Sequence, residues 1–306
     1  MSHRYPLGRL MALLVAAVFA CSACASSPPA DATPSPRQGD VVYVSIGDSY
    51  AAGEQLSAGG GLATSRSGFA YRVADRMAAS GEDLQLINFG CVGATSTDLL
   101  TRKGCPDGGL GPGATPYPDS TQADAAIAAL SAHRGHVRLV TISIGGNDVN
   151  ACLPPGGRPP VRDVDCVDQT LSELRTNMRT LLARIRAVTG PGVPVVGITY
   201  PDFFLGAWVL GDQASARASV PLFRDVLNPA LRTGYEAAHA RFVDVTSSTG
   251  AYGPLTTQTD LPPYGMVPVP VARACVLTAF CTSQDVHPTD RGYAEIADEV
   301  LRAATM

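Results

Sequence analysis

The chain has 306 residues, of which 45% are hydrophobic and 16% charged, and its 23 basic and 27 acidic side chains give a formal net charge of −4. This length and apolar content are enough for one sizeable core and exclude a chain that is disordered over most of its length. Without a basic run, the charge balance argues against a nucleic-acid partner and leaves small neutral or cationic molecules as ligands.

The N-terminal segment is predicted to direct export. Basic residues precede an apolar stretch at positions 10–19, which is too short to span a bilayer, and small residues follow it. Cleavage after Ala25 would release a free protein. Cleavage before Cys21 or Cys24 would instead leave a lipidated cysteine that associates with the membrane or cell envelope. We therefore expect a signal peptide over residues 1–25, with both cleavage forms open.

A short tether is predicted between this signal and the folded domain. Residues 26–39 are rich in proline and serine, a composition typical of flexible linkers. The chain beyond them shows no internal repeat and no second composition change. We therefore expect one catalytic domain over residues 40–306.

The domain alternates β-branched runs with helical patterns. Five runs that are apolar on both faces, as buried parallel strands are, occupy residues 41–46, 84–89, 137–144, 194–200 and 240–245. The clearest helix between them carries Leu171, Leu174 and Met178 on one apolar stripe. This alternation predicts an α/β fold, a three-layer α/β/α sandwich with a mainly parallel five-stranded sheet, whose ligands gather where the strands end.

Six cysteines follow the tether, an even number that in an exported chain indicates disulfides. Their proximity in the sequence predicts three bridges: Cys91 with Cys105, Cys152 with Cys166, and Cys275 with Cys281. A metal site is disfavoured because these cysteines form no Cys-x-x-Cys pair and have no histidine at zinc-ligand spacing. No metal or other cofactor is expected.

Residues suited to hydrolytic chemistry follow three of the predicted strands. Ser49 lies in a Gly-Asp-Ser-Tyr motif, Gly93 in Gly-Cys-Val-Gly and Asn147 in Gly-Gly-Asn-Asp, while His287 in Asp-Val-His-Pro precedes the last predicted helix. A serine at a strand end is placed as a nucleophile. A glycine N–H and an asparagine amide suit a developing oxyanion. Each motif alone is also an ordinary turn, but together they predict one hydrolytic site.

In this order the motifs resemble the SGNH hydrolases, also called the GDSL esterase/lipase family, over about residues 41–303. Within that family the chain is most similar to disulfide-containing lipases and esterases secreted by actinobacteria. The resemblance implies that Ser49 is the nucleophile and His287 the general base and acid. It also implies an oxyanion hole formed by the backbone N–H groups of Ser49 and Gly93 and by the side chain of Asn147.

The third member of the expected catalytic triad departs from the family pattern. The common block is Asp-x-x-His, whereas here Gln284 lies three residues before His287 and Asp285 lies two before it. Asp285 is favoured because a carboxylate also stabilises the imidazolium formed during attack. A backbone carbonyl that orients the ring is the alternative. Asp48 and Asp148 belong to the same motifs and are expected to hold loops.

The predicted function is hydrolysis of carboxylic esters through an acyl-enzyme on Ser49. The absence of a Gly-x-Ser-x-Gly motif argues against an α/β-hydrolase. Aromatic segment 200–208 and apolar segment 261–268 are candidate walls of an acyl pocket and favour lipid-like esters over polysaccharide acetyl groups. The expected partner is a small-molecule or lipid ester, bound by a monomer. An acyltransferase, a carbohydrate O-acetylesterase and a non-catalytic envelope binding protein remain alternatives.

Overall fold

A computed structural model describes residues 41–154, 158–159 and 163–305 of the chain. The predicted signal peptide and tether, with Cys21 and Cys24, lie outside the described residues. Within the described ranges, no helix is both long enough and apolar enough to cross a membrane.

Strands and helices alternate along the first half of the domain. In chain order they are β1 (Val42–Gly47), α1 (Ser49–Ala52), β2 (Glu54–Leu56), β3 (Leu62–Thr64), α2 (Phe69–Ala79), β4 (Gln85–Asn88), α3 (Ser96–Thr101), α4 (Gln122–Ala132), β5 (Val137–Ser143), α5 (Gly146–Asn150) and α6 (Val164–Thr189). The helices at the ends of β1 and β5 are only one turn long. Both follow directly on strands of the central sheet.

The second half contains more helix. Its elements are β6 (Val195–Ile198), a 3₁₀ segment (Phe203–Leu210), α7 (Gln213–Pro221), a π-helical turn (Leu222–Leu227), α8 (Asn228–Ala237), β7 (Arg241–Val243), α9 (Val245–Ser248), β8 (Gln258–Asp260), β9 (Met266–Pro268), α10 (Val269–Leu277), α11 (Phe280–Ser283) and α12 (Asp290–Thr305). The 3₁₀ segment and the π-helical turn flank α7 on the side of the candidate site.

The central sheet has five parallel strands in the order β4-β1-β5-β6-β7. On β1, which lies between β4 and β5, Val44 pairs with Ile87 of β4 and with Val140 of β5. All residues of β1 are buried, as expected of a strand covered by helices on both faces. The predicted α/β fold with a mainly parallel five-stranded sheet is confirmed. Two small antiparallel pairs, β2 with β3 and β8 with β9, were not predicted from the sequence.

Amphipathic helices cover the sheet. The predicted apolar stripe of α6 is buried, and Leu171, Leu174 and Met178 are each less than 5% exposed. Asp163 caps the start of this helix by accepting a hydrogen bond from the backbone N–H of Cys166. Gly190 follows its last turn. The helix therefore begins and ends where the sequence supplies capping residues.

Three disulfides fasten the loops around the sheet. They join Cys91 to Cys105, Cys152 to Cys166 and Cys275 to Cys281, with Cα–Cα distances of 5.8, 5.7 and 5.1 Å. The first lies two residues before Gly93, the second follows α5, and the third ends in α11, shortly before His287. The three bridges therefore brace loops that carry predicted site residues.

Candidate active site

The predicted site residues share one edge of the sheet. Ser49 begins α1 directly after β1, Gly93 lies in the loop after β4, and Asn147 lies in α5 after β5. The carboxyl ends of parallel strands meet at a common edge, so these three positions come together although they are distant in the sequence. His287 reaches the same edge from the loop that precedes α12.

The side chains of Ser49, His287 and Asp285 form a hydrogen-bonded series. Nε2 of His287 lies 2.9 Å from Oγ of Ser49, and Nδ1 lies 3.0 and 3.2 Å from the two carboxylate oxygens of Asp285. Asp285 also accepts a hydrogen bond of 2.9 Å from the backbone N–H of His287. Gln284 has a left-handed backbone (φ 59°), and its side-chain oxygen accepts from Arg158 instead. Asp285 therefore occupies the orienting position beside the imidazole.

A second carboxylate, which the sequence analysis did not single out, contacts the same ring. Oε2 of Glu54 lies 3.0 Å from Nε2 of His287. The one available signal was its place in the sequence, where it directly follows Gly53 at the end of the Gly-Asp-Ser-Tyr-Ala-Ala-Gly block. A charged residue there stands out among small and apolar neighbours.

The surroundings of His287 favour its protonated form. Burial by itself lowers the pKa of His287, but the hydrogen bonds and charges of Asp285 and Glu54 outweigh it and raise the pKa from 6.5 to about 9. Burial raises the pKa of Asp285, but its contacts with His287 outweigh that effect and bring the pKa below its ordinary value. The contacts of His287 with Asp285 and Glu54 therefore favour the imidazolium over the neutral ring.

Asp48 fastens the loop that carries the serine. Its carboxylate caps α1 by accepting from the backbone N–H of Tyr50 at 3.0 Å, and it accepts from the Tyr200 hydroxyl at 2.5 Å. The Tyr200 oxygen in turn accepts from the N–H of Gly146 at 3.0 Å. A Cβ at Gly146 would lie 2.8 Å from the Tyr200 ring, so glycine permits this contact. Burial raises the pKa of Asp48 to about 6.

Two of the hydrogen-bond donors predicted for an oxyanion lie in the loop after β4 and in α5. Gly93 has a φ of 74°, a Cβ there would meet nothing within 4 Å, and its N–H donates to no group in the described part of the chain. The Asn147 amide donates to the carbonyl of Ala94 at 3.0 Å, which leaves its second hydrogen free for a ligand. Asp148 accepts from the backbone N–H and hydroxyl of Ser96 and so ties α5 to the start of α3.

An apolar pocket of about 130 Å³ opens beside Ser49. Its lining residues are Asp48, Ser49, Tyr50, Gly146, Asn147, Val149, Asn150, Leu153, Tyr200, Phe203, Phe204, Leu222, Phe223, Leu227 and Val286. The predicted aromatic segment thus contributes Tyr200, Phe203 and Phe204. No residue of segment 261–268 lines this pocket, and Val267 is buried in a separate apolar cluster with Leu205.

The acidic and imidazole side chains of the site do not form a metal-binding cluster within the described residues. Among the residues that the structure describes, no group of three or more His, Cys, Asp or Glu side chains could hold a metal ion. The acidic and imidazole groups at the site instead pair with one another, as the contacts of His287 with Asp285 and Glu54 show.

The sequence profile of the GDSL-like Lipase/Acylhydrolase family matches residues 45–295. The chain belongs to this family of carboxylic-ester hydrolases. Its fold is similar to that of an aryl esterase from M. smegmatis, at 14% identity over 86% of this chain and 99% of that chain, with a TM-score of 0.45. It is also similar to Est24, a carbohydrate acetylesterase from Sinorhizobium meliloti, at 14% identity, 86% and 99% coverage and a TM-score of 0.44. No curated protein matches the chain.

Proposed function

We propose that the chain hydrolyses esters of apolar acyl groups through an acyl-enzyme on Ser49. The observation that carries this proposal is the hydrogen-bonded series of Ser49, His287 and Asp285, whose serine lines the apolar pocket. A nucleophile hydrogen-bonded to a base, which is oriented by a third group, is the arrangement that acyl transfer requires.

Acylation begins when neutral His287 takes the proton of Ser49 as the serine oxygen attacks the ester carbonyl carbon. The resulting oxyanion accepts hydrogen bonds from the N–H groups of Ser49 and Gly93 and from the side chain of Asn147. Removal of one such donor typically costs about 2.7 to 4 kcal/mol of transition-state stabilisation. Asp285 stabilises the imidazolium that forms on His287. The donors and the base therefore act on the same tetrahedral centre.

Breakdown of the tetrahedral species completes each half of the reaction. The imidazolium of His287 returns its proton to the alcohol oxygen, which leaves, and the acyl group stays on Ser49. A water molecule then attacks the acyl-enzyme while His287 takes its proton. The acid is released, and the serine hydroxyl is restored.

The size and lining of the pocket support medium-length acyl groups. By the same volume measure one water needs about 10 to 15 Å³, so a pocket of about 130 Å³ accommodates roughly ten water-sized groups. An acetyl group would leave most of this apolar space empty. Aromatic rings in the pocket lining, with Phe203 and Phe223 centroids 6.0 Å apart, favour an aliphatic or aryl chain.

A comparison of the protein with its Ser49→Ala variant on p-nitrophenyl esters of increasing acyl length tests this proposal. We expect the highest kcat/KM between butyrate and decanoate, and a loss of kcat of about 10⁴-fold or more in the variant. Ser131→Ala, at an exposed position of α4, is the matched control and should retain full activity.

Two results would contradict the proposal. Equal activity in the Ser49→Ala variant would remove the serine from the mechanism. An optimum at acetate with a steep decline for longer chains would instead favour a carbohydrate O-acetylesterase.

We further propose that the protein is exported and belongs to the secreted, disulfide-containing members of the family. Its three disulfides support this, because such bridges persist in oxidising compartments. Release after Ala25 and lipid anchoring at Cys21 or Cys24 are the two forms that the sequence allows.

A further inference from the structure

Glu54 is fixed beside the imidazole of His287. It begins β2 directly after the turn that ends α1, and its backbone carbonyl accepts a hydrogen bond of 2.5 Å from the hydroxyl of buried Tyr293. Its carboxylate Oε2 lies 3.0 Å from Nε2 of His287, the nitrogen that also lies 2.9 Å from Oγ of Ser49. The side chains of Glu54 and His287 are only 12% and 9% exposed, so water screens this contact weakly.

The two protonation states of His287 interact differently with Glu54. In the imidazolium both ring nitrogens carry hydrogen, and Nε2 donates toward a carboxylate. In the neutral form with hydrogen on Nδ1, which Asp285 favours, Nε2 carries a lone pair that faces the negative Oε2 atom. Glu54 therefore stabilises the protonated ring and destabilises the neutral base that removes the Ser49 proton.

Other titratable groups also face His287. Asp285 contacts Nδ1 from the same loop, Asp48 contributes charge from the start of α1, and the ring of Tyr50 lies 5.9 Å away. Asp285 and Glu54 both raise the pKa of His287 to about 9 against the opposing effect of burial. Of these groups, Glu54 is the one whose carboxylate contacts the catalytic nitrogen itself.

We propose that Glu54 is a positioning residue that binds protonated His287 in the resting enzyme and opposes its conversion to the neutral base. Glu54 takes no part in bond making, because it acts on the substrate through His287. The catalytic consequence rests on the proposed function of Ser49 and His287, whereas the effect of Glu54 on the charge of the ring does not.

The pH dependence of kcat/KM tests the inference, with p-nitrophenyl butyrate followed at the isosbestic wavelength of the product. In the unaltered protein kcat/KM should rise with pH, and this rising limb of the pH profile should have an apparent pKa near 9. In Glu54→Gln this limb should move to lower pH by about one unit, because an opposite charge at this distance typically shifts a pKa by about 1 to 3 units. Activity at pH 7 should then increase up to about tenfold.

Glu82→Gln removes the same charge elsewhere and serves as the control. Glu82 pairs with Arg138 near the amino end of β5, at the opposite edge of the sheet from His287. The rising limb of the pH profile of Glu82→Gln should coincide with that of the unaltered protein. A limb that moves equally in both variants, or in neither, would overturn the role of Glu54.

A titration of the His287 imidazole by nitrogen NMR separates this inference from the proposed function. It is made in a Ser49→Ala background, with and without Glu54→Gln, so no turnover is needed. A lower midpoint in the double variant supports the inference even if the protein lacks esterase activity. An unchanged midpoint refutes it even if the esterase is active. If Glu54→Gln does not fold, Glu54→Asp should give a smaller shift in the same direction.

Discussion

At the scale of single residues, three carboxylates at the candidate site around His287 contact different groups and therefore have different effects. Asp285 contacts Nδ1, Glu54 contacts Nε2, and Asp48 caps the helix that begins with Ser49. A carboxylate on Nδ1 holds the tautomer in which Nε2 can accept a proton, whereas one on Nε2 competes with that step. Asp285 and Glu54 therefore have opposite effects on proton transfer to Nε2, because they contact different nitrogens of the ring.

Replacement of Asp285 tests its position in the series. In Asp285→Ala we expect kcat to fall by about 10³ to 10⁴-fold, because the ring loses the group that fixes its tautomer and stabilises its charge. In Gln284→Ala, which keeps an L-residue in the same left-handed conformation, kcat should change less than about threefold. Equal and small losses in both variants would point to a Ser-His dyad oriented by a backbone carbonyl.

At the scale of secondary structure elements, one-turn helices carry two of the predicted site residues. Ser49 begins α1 and Asn147 lies in α5, and each helix directly follows a buried parallel strand. The Tyr200 hydroxyl, from the segment after β6, links the two by donating to Asp48 and accepting from Gly146. The Tyr200 hydroxyl therefore connects the segments that follow β1, β5 and β6.

Removal of the Tyr200 hydroxyl should affect catalysis as well as the stability of the fold. Tyr200→Phe leaves Asp48 without one donor and the Gly146 N–H without its acceptor, which should lower the free energy of unfolding by about 1 to 3 kcal/mol. The Tyr200 hydrogen bond lowers the pKa of Asp48, so its loss raises that pKa further toward neutrality. We expect kcat to fall by about tenfold or more, with KM nearly unchanged.

Tyr252→Phe is the matched control for this prediction. The Tyr252 hydroxyl accepts from buried Asn228 at 2.8 Å and lies apart from the Ser49 loop, with its other contact to Asp244. Denaturant unfolding should show a comparable loss of stability, while kcat stays unchanged. A parallel loss of kcat in both variants would make the effect of Tyr200 purely structural.

At the scale of the whole molecule, the disulfides reinforce loops that the core does not hold. Two of the bridges have a sequence separation of 14. Closing a loop of about 15 residues contributes roughly 3 kcal/mol in the loop-entropy model. Because these bridges lie near Gly93 and α5, they are expected to order the site as well as to stabilise the fold.

If the protein is exported as proposed, the signal segment should be absent from the mature chain and the folded domain should contain no free thiol. Mass analysis of protein recovered outside the cell is expected to find a chain without residues 1–25, or a lipidated N-terminal cysteine at Cys21 or Cys24. Thiol titration of the folded domain should find no reactive cysteine. Reduction should lower Tm by about 6 to 12 °C for each bridge of roughly 3 kcal/mol. A full-length chain confined to the cytoplasm with free thiols would contradict export.

The sequence by itself determined the layers of the fold and the chemistry of its motifs. Apolar runs such as Val42–Gly47 are buried on both faces, so their period and composition already specify parallel strands. The motifs with Ser49 and His287 indicated a family because few chemistries need those residues in that order. Strand ends were predictable because local patterns fix them.

Only the tertiary structure decided which groups meet. The sequence favoured Asp285 over Gln284 on chemical grounds, but the contact of the Asp285 carboxylate with Nδ1 of His287 depends on loop geometry that no periodicity encodes. Glu54 reaches His287 across 233 positions of sequence, and Tyr200 joins Asp48 across 152. Such contacts arise when parallel strands bring distant ends of the chain to one edge. Their pairing therefore follows from packing, and local sequence patterns do not report it.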